Sequence, residues 1–294
     1  FDLMGLIDIE TLKELEKECC KVKKDLIFYG EGWDMPIDIP HEQKACLTNN
    51  QLLPDYAFFN DVYRDVVKGP TFPDKIHEKG YINGNVDYHF GADYVFHACV
   101  LNHSYIPRFK KAHQSLNYVE CHDNNTLYDK LTFSNGEEDE SRLLARIKLA
   151  NAFVMYSFGV PFFHMGQEFG QSKEGHPNTY NEVKINNMRW DLVDERFDMV
   201  SYFHTLVSLR RYDLPHLFLD KPEDIEKVFE VTQWNNGILC LYSTNKELLQ
   251  KYERMMILIN PTNNNLDYQD DEYWSILSLD KKNILNQLYL IYNL

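Results

Sequence analysis

The sequence predicts an α/β chain in two parts: the C-terminal portion of a parallel (β/α)8 barrel over residues 1–211 and an all-β sandwich domain over residues 212–294. Three observations carry that expectation. "FDLMGLIDIETLKELEKECCKVKKDLIFYGEGWD" reads as strand, helix and strand within about 30 residues, a unit that makes its two strands parallel. Carboxylates recur where strands end, at Asp2, Glu31 and Asp123. After Tyr212 the pattern changes to short apolar runs broken by Asn- and Asp-rich turns.

Taken in order, a short strand-like piece ends at residues 2–4. Asp8 is placed to cap a helix in which Ile9, Leu12, Leu15, Cys19 and Val22 recur at helical spacing. Leu26 to Tyr29 form the next strand. From Asp34 to about Ser115 the chain is polar and interrupted by Pro36, Pro40, Pro54, Pro70 and Pro73, which predicts short helices and functional loops. "SLNYVECHDNNT" is a further strand running out at His122 and Asp123. "SRLLARIKLANAFVMYSFG" is a helix with Leu143, Leu144, Ile147, Ala150 and Val154 on one face and Gly159 at its end. "VPFFHMGQE" predicts another strand and "MVSYFHTLVSLRRY" another helix. "KVFEVTQ", "GILCLYS", "RMMILINPT", "YWSIL" and "LYLIY" are the strands of the C-terminal domain.

The 294 residues carry a net charge of −15, which disfavours nucleic acid or an anionic membrane as the main partner. No apolar run reaches the roughly 18 residues of a membrane span. Six cysteines, Cys19, Cys20, Cys46, Cys99, Cys121 and Cys240, form no CxxC pair and suggest neither a zinc site nor a disulfide framework. Free thiols favour a reducing compartment, and a cytoplasmic location is expected.

The strand-end acids carry the chemistry. In a (β/α)8 barrel the site lies over the C-terminal ends of the strands, so Asp2, Glu31 and Asp123 could converge there. Alone, each could equally be a helix cap or a solvated loop acid. Two converging carboxylates suit glycoside hydrolysis: one attacks the anomeric carbon, and the other protonates the leaving oxygen and then activates water, at about 5 Å separation in the retaining form. Gly30 and Gly32 around Glu31 would leave room for a sugar ring, with Trp33 as a flat apolar surface beside it. His122 reads either as a donor to sugar hydroxyls or as a metal ligand, and no second well-spaced His supports the metal. No GxSxG elbow points to a serine hydrolase.

"FDLMG", "YGEGWD" and "NYVECHDN" resemble three signature regions of the α-amylase superfamily, glycoside hydrolase family 13, in the family's order. With "TLYDKL", "FFNDVYRDVVKG", "GVPFFHMGQEF" and "GHPNTYNEVKINNMRWD", the chain resembles the type I pullulanases over roughly residues 1 to 212. That resemblance implies a retaining hydrolase of α-1,6-glucosidic branch linkages in pullulan, glycogen or limit dextrins. Asp2 would be the nucleophile, Glu31 the general acid/base and Asp123 the transition-state stabiliser. His122 would bond the sugar in the cleavage subsite, Leu3 and Trp33 would line the acceptor side, Asn124 would support the floor, and Asn178 and Tyr180 would be further contacts. The partner is a branched α-glucan or maltooligosaccharide, and neither cofactor nor metal is expected. The rivals are a neopullulanase-like enzyme of the same superfamily cutting α-1,4 bonds and a glucan-binding protein without catalysis.

The chain departs from the family pattern in places. Cys121 stands where serine is usual. The family's arginine two residues before the nucleophile would precede Phe1. The first signature region, the "YNWGY" motif and the first three barrel strands are not present in these residues. The chain is therefore expected to be the C-terminal portion of the barrel enzyme, and inactive when isolated.

Overall fold

The computed structural model describes residues 1–103, 105–233, 237–264, 275–276 and 288–293, with 231–233, 275–276 and 288–293 described as backbone. Its N-terminal part is built on a four-stranded sheet in the order β1-β2-β3-β4: β1 Phe28–Gly30, β2 Tyr56–Phe59, β3 Ser115–Asn117 and β4 Val160–Pro161. Every pairing is parallel, with Phe28 opposite Tyr56, Phe58 opposite Ser115 and Leu116 opposite Val160. Parallel neighbours need a crossover, and helices supply most of it. Between β2 and β3 lie α2 (Asp61–Lys68) and α3 (His89–Phe96); between β3 and β4 lie α4 (Leu127–Ser134) and α5 (Glu140–Tyr156). After β4 come the short α6 (Val183–Asn186) and α7 (Asp191–Glu195), then α8 (Phe197–Tyr212).

Local chemistry explains the helices. The first, α1 (Ile9–Val22), starts where Asp8 accepts from the Thr11 amide at 2.8 Å and the Thr11 hydroxyl at 2.7 Å. Its Ile9 and Leu12 are buried, and the Tyr56 hydroxyl of β2 donates to the Leu12 carbonyl at 2.8 Å. Val22, expected on the same apolar face, is exposed at the last position. Thr126 and Asp139 cap α4 and α5 in the same way. Gly159 ends the turn after α5 at φ 94°, a conformation that costs glycine little. Arg210 of α8 fixes that turn, donating to the carbonyls of Met155 at 2.6 Å, Ser157 at 2.8 Å and Gly159 at 2.8 Å.

Two expectations are corrected. Residues 2–4 are not a strand: Leu3 sits at φ 46° and Met4–Leu6 form a 3-10 turn. Phe1 alone continues the sheet hydrogen bonding, its amino group donating to Tyr29 O at 2.7 Å and its carbonyl accepting from Glu31 N at 3.1 Å. The second is β2, which lies in the stretch expected to hold short helices and functional loops. Tyr56, Ala57 and Phe58 are all buried, so no in/out alternation marks it as a strand.

Beyond α8 a five-stranded antiparallel sheet follows in the order β5-β6-β7-β9-β8: β5 Glu230–Gln233, β6 Leu239–Ser243, β7 Arg254–Ile259, β8 Ser275–Ile276 and β9 Leu288–Asn293. Of the expected "YWSIL" strand, residues 273, 274 and 277 lie outside the described residues. Buried polar groups tie the antiparallel sheet and its loops to the helical crossovers of the N-terminal part. The Tyr81 hydroxyl lies 2.9 Å from Gly237 O, 3.2 Å from Ile259 O and 2.9 Å from the Leu239 amide that donates to it. Arg146, 1% exposed, pairs with both oxygens of Glu138 at 2.6 Å and donates to Ile82 O at 2.8 Å and to Asn263 Oδ1 at 2.9 Å. A buried cation so placed has every N–H used, which offsets its desolvation. Cys19, Cys20, Cys46, Cys99 and Cys121 are free thiols. Among the described residues no helix is long and apolar enough to cross a membrane.

Candidate active site

Glu31 follows β1 directly, and Asp2 lies in the turn packed beside it. The Leu3 amide donates to Glu31 Oε2 at 3.1 Å, and the Gly5 amide donates to Glu31 O at 2.9 Å. Together with the Phe1 contacts, these bonds clamp the Asp2 turn to the Glu31 segment at the C-terminal end of β1. Asp2 and Leu3 are exposed, and Glu31 is partly buried. Trp33 is half-buried, with part of its ring packed against the core.

The glycines flanking Glu31 do not serve the purpose read from the sequence. A Cβ on Gly30 would meet Phe1 O at 2.6 Å and Met4 at 2.9 Å. One on Gly32 would meet the Phe58 ring at 2.6 Å and Leu47 N at 3.0 Å. The space beside both is filled by protein rather than left for a ligand. Because side chains alternate along an extended segment, the same packing turns Glu31 the other way.

The second group lies beyond β3, which ends at Asn117 and does not run out to His122 and Asp123 as expected. His122 Nε2 and Asp123 Oδ1 are 3.3 Å apart on an exposed turn, with Asn124 at φ 61°. This turn is held from beneath. Lys173, 3% exposed, donates from Nζ to His122 O at 2.9 Å, and the Cys121 thiol donates to Asp123 O at 3.7 Å. Lys173 is itself seated by its amide, which donates to Asp129 Oδ2 at 2.8 Å. Burial pushes the Cys121 thiol up and pulls the Lys173 ammonium down from its ordinary range.

Beside this turn is a cavity of about 440 Å³ whose wall includes His122, Glu120, His164, Lys173, Met188 and Tyr180. Glu120, 2% exposed, accepts from Leu127 N at 2.6 Å and from His164 Nδ1 at 2.8 Å. The carboxylate thereby sets the ring of His164 at the cavity. Lys68, fully buried nearby, is pulled down to about 8 by burial.

Thus the structure gathers Asp2, Leu3 and Glu31 at the end of β1, with Trp33 following, and His122, Asp123 and Asn124 beyond β3, while Tyr180, beyond β4, shares the cavity wall with His122. Asn178 is exposed and lies outside the cavity wall. Glu120, His164 and Lys173 were not read from the sequence. The one available signal was Glu120 itself, a charge within the apolar strand run "NYVEC".

A parallel sheet with helical crossovers, followed by an antiparallel sheet, is the fold of solved pullulanases. The type I pullulanase of Bacillus subtilis strain 168, solved with maltose, superposes with a TM-score of 0.93 at 28% identity, covering 100% of this chain and 43% of that one. The pullulanase of Anoxybacillus sp. LM18-11, solved with maltotriose, gives 0.90 at 27% identity, covering 100% and 42%. In sequence, a Bacillus subtilis pullulanase is 38% identical over 234 residues, 78% of this chain and 32% of its own length. A chloroplastic isoamylase 1 of Oryza sativa is 28% identical over 186 residues, 53% of this chain and 22% of its own. No family model matches. The chain is related in sequence to pullulanases and isoamylases and in fold to pullulanases, and it spans about a third of the length of the Bacillus subtilis pullulanase that it matches.

Proposed function

We propose that the whole protein carrying this chain is a retaining glycoside hydrolase that cleaves α-1,6-glucosidic branch linkages, and that residues 1–211 are part of its (β/α)8 barrel and residues 212–294 a β-sandwich domain. Asp2 attacks the anomeric carbon. Glu31 protonates the departing glycosidic oxygen and then deprotonates the water that releases the sugar. Asp123, beside His122, stabilises the oxocarbenium-like charge. Leu3 and Trp33 face the acceptor side, Asn124 shapes the floor, and Tyr180 and Asn178 belong to the loop that approaches the sugar.

The observation that carries this reading is the Leu3–Glu31 hydrogen bond at 3.1 Å, because it ties the segment of the nucleophile to the side chain of the acid. The solved relatives in complex with maltose, maltotriose and maltotetraose support a maltooligosaccharide or branched α-glucan as the bound partner. The test is product analysis on pullulan with the whole protein. Release of maltotriose is expected, whereas panose would mean α-1,4 cleavage and would overturn the linkage assignment.

A further inference from the structure

The loop that leaves the proposed acid carries a cluster that glycoside chemistry does not use. Asp34, His41 and Cys46 each offer one donor atom, and these atoms lie within 4.8 Å of one another. We propose that they form a binding site for a divalent cation of the zinc class, which clips together the loop that begins at Trp33.

The donor set selects the ion. One thiolate, one imidazole and one carboxylate suit Zn²⁺, whereas Ca²⁺ and Mg²⁺ take oxygen ligands. Three protein ligands leave a fourth tetrahedral position for water. His41 Nδ1 and Asp34 Oδ2 are 3.1 Å apart, a spacing that two ligands of one ion share. The outer oxygen of Asp34, Oδ1, is held at 3.0 Å by Lys44 Nζ, which orients the carboxylate and leaves Oδ2 on the cluster side. Lys44 is anchored in turn on Met35 O at 2.8 Å.

The sulfur is lined by polar side chains. Cys46 is fully buried, with Thr48 Oγ1 at 3.2 Å able to donate to it and the Asn49 amide nitrogen at 3.5 Å. The same Thr48 hydroxyl is 3.2 Å from His41 Nε2. Asn49 also donates to His41 O at 2.6 Å and Lys44 O at 3.0 Å, so one amide binds the backbone of the whole cluster. Leu47 N donates to Gly32 O at 2.7 Å, and Ala45 N to Ile7 O at 2.9 Å, which moors the loop to the Glu31 segment and to the turn before α1. The donors are therefore positioned before any ion arrives, which lowers the ordering cost of binding.

Cobalt is the probe, because a Co²⁺–thiolate bond absorbs in the near ultraviolet and tetrahedral Co²⁺ absorbs in the visible. Titration of the whole protein with Co²⁺ should develop both bands at one equivalent, and Zn²⁺ should remove them. H41N, at an exposed position, should weaken binding at least 10-fold, and C46S should abolish the ultraviolet band. T48V should weaken binding about 10- to 100-fold, the range for groups that support a metal ligand. Circular dichroism identical to that of the parent protein would show that each variant is folded. No thiolate band in the parent protein, or a band of equal strength in folded C46S or H41N, would overturn the site.

Discussion

Replacing Lys173 with Met isolates what the buried ammonium does for the proposed stabiliser. Its Nζ meets His122 O at 2.9 Å beneath a turn that is otherwise exposed, and the thiol contact from Cys121 at 3.7 Å is the weaker of the two supports. Methionine keeps the length and the apolar stem but leaves the carbonyl without its donor. Loss of a charge-assisted hydrogen bond costs about 1.5–3 kcal/mol, part of which the Met side chain regains because the ammonium no longer needs desolvating. The larger effect falls on geometry. A shift of about 1 Å in a catalytic group costs roughly 100-fold in rate, so kcat on pullulan should fall about 10- to 100-fold while KM changes little. The assay is steady-state kinetics on the whole protein beside denaturant unfolding of the same variant. A K173M protein that loses stability but keeps its kcat would show that Lys173 only fills space, and the positioning argument would fail.

Three further outcomes are expected. Glu31→Gln removes the proton donor but keeps the shape, so kcat should fall about 100- to 10,000-fold with oligosaccharide binding retained; a variant with most of its activity would remove Glu31 from the mechanism. Trp33→Ala should weaken kcat/KM on branched substrates by about 1–3 kcal/mol and spare a small activated glycoside, whereas equal losses would assign Trp33 to packing alone. His216 is buried against Phe158 and Phe229 and lies near Arg210, and burial pulls it down to about 3. Its folded value lies below its unfolded one, so this stabilisation is full above about pH 6.5 and fades as pH falls; at pH 5 the loss is about 2 kcal/mol. In H216L, unfolding free energies at pH 7.5 and pH 5 should differ by about that much less than in the parent chain, and an unchanged difference would refute the assignment.

Much of this organisation was legible in the residues, for reasons that differ by element. The helices α1, α5 and α8 announce themselves by apolar spacing, and Asp8 caps the first as expected. β2 was hidden because a strand buried on both faces has no alternation to read. The piece at residues 2–4 reads as a strand by composition, yet the left-handed backbone at Leu3 turns it into the clamp on Glu31. Gly30 and Gly32 could be recognised as close-approach positions, but what approaches them is Phe1, Met4, Leu47 and Phe58, and only tertiary structure reveals that. Lys173 and His164 escaped because their partners, His122 and Glu120, lie 51 and 44 residues away.

The retaining mechanism with Asp2 as nucleophile makes one chemical claim that can be seen directly. A fluorinated, activated maltooligosaccharide slows the second step of a retaining enzyme and leaves the sugar esterified to the nucleophile. The whole protein treated in this way and digested should yield a single modified peptide with the sugar on Asp2, and Asp2→Asn should abolish both the label and turnover. A label on another residue, or turnover of pullulan with inverted anomeric configuration and no label, would contradict it.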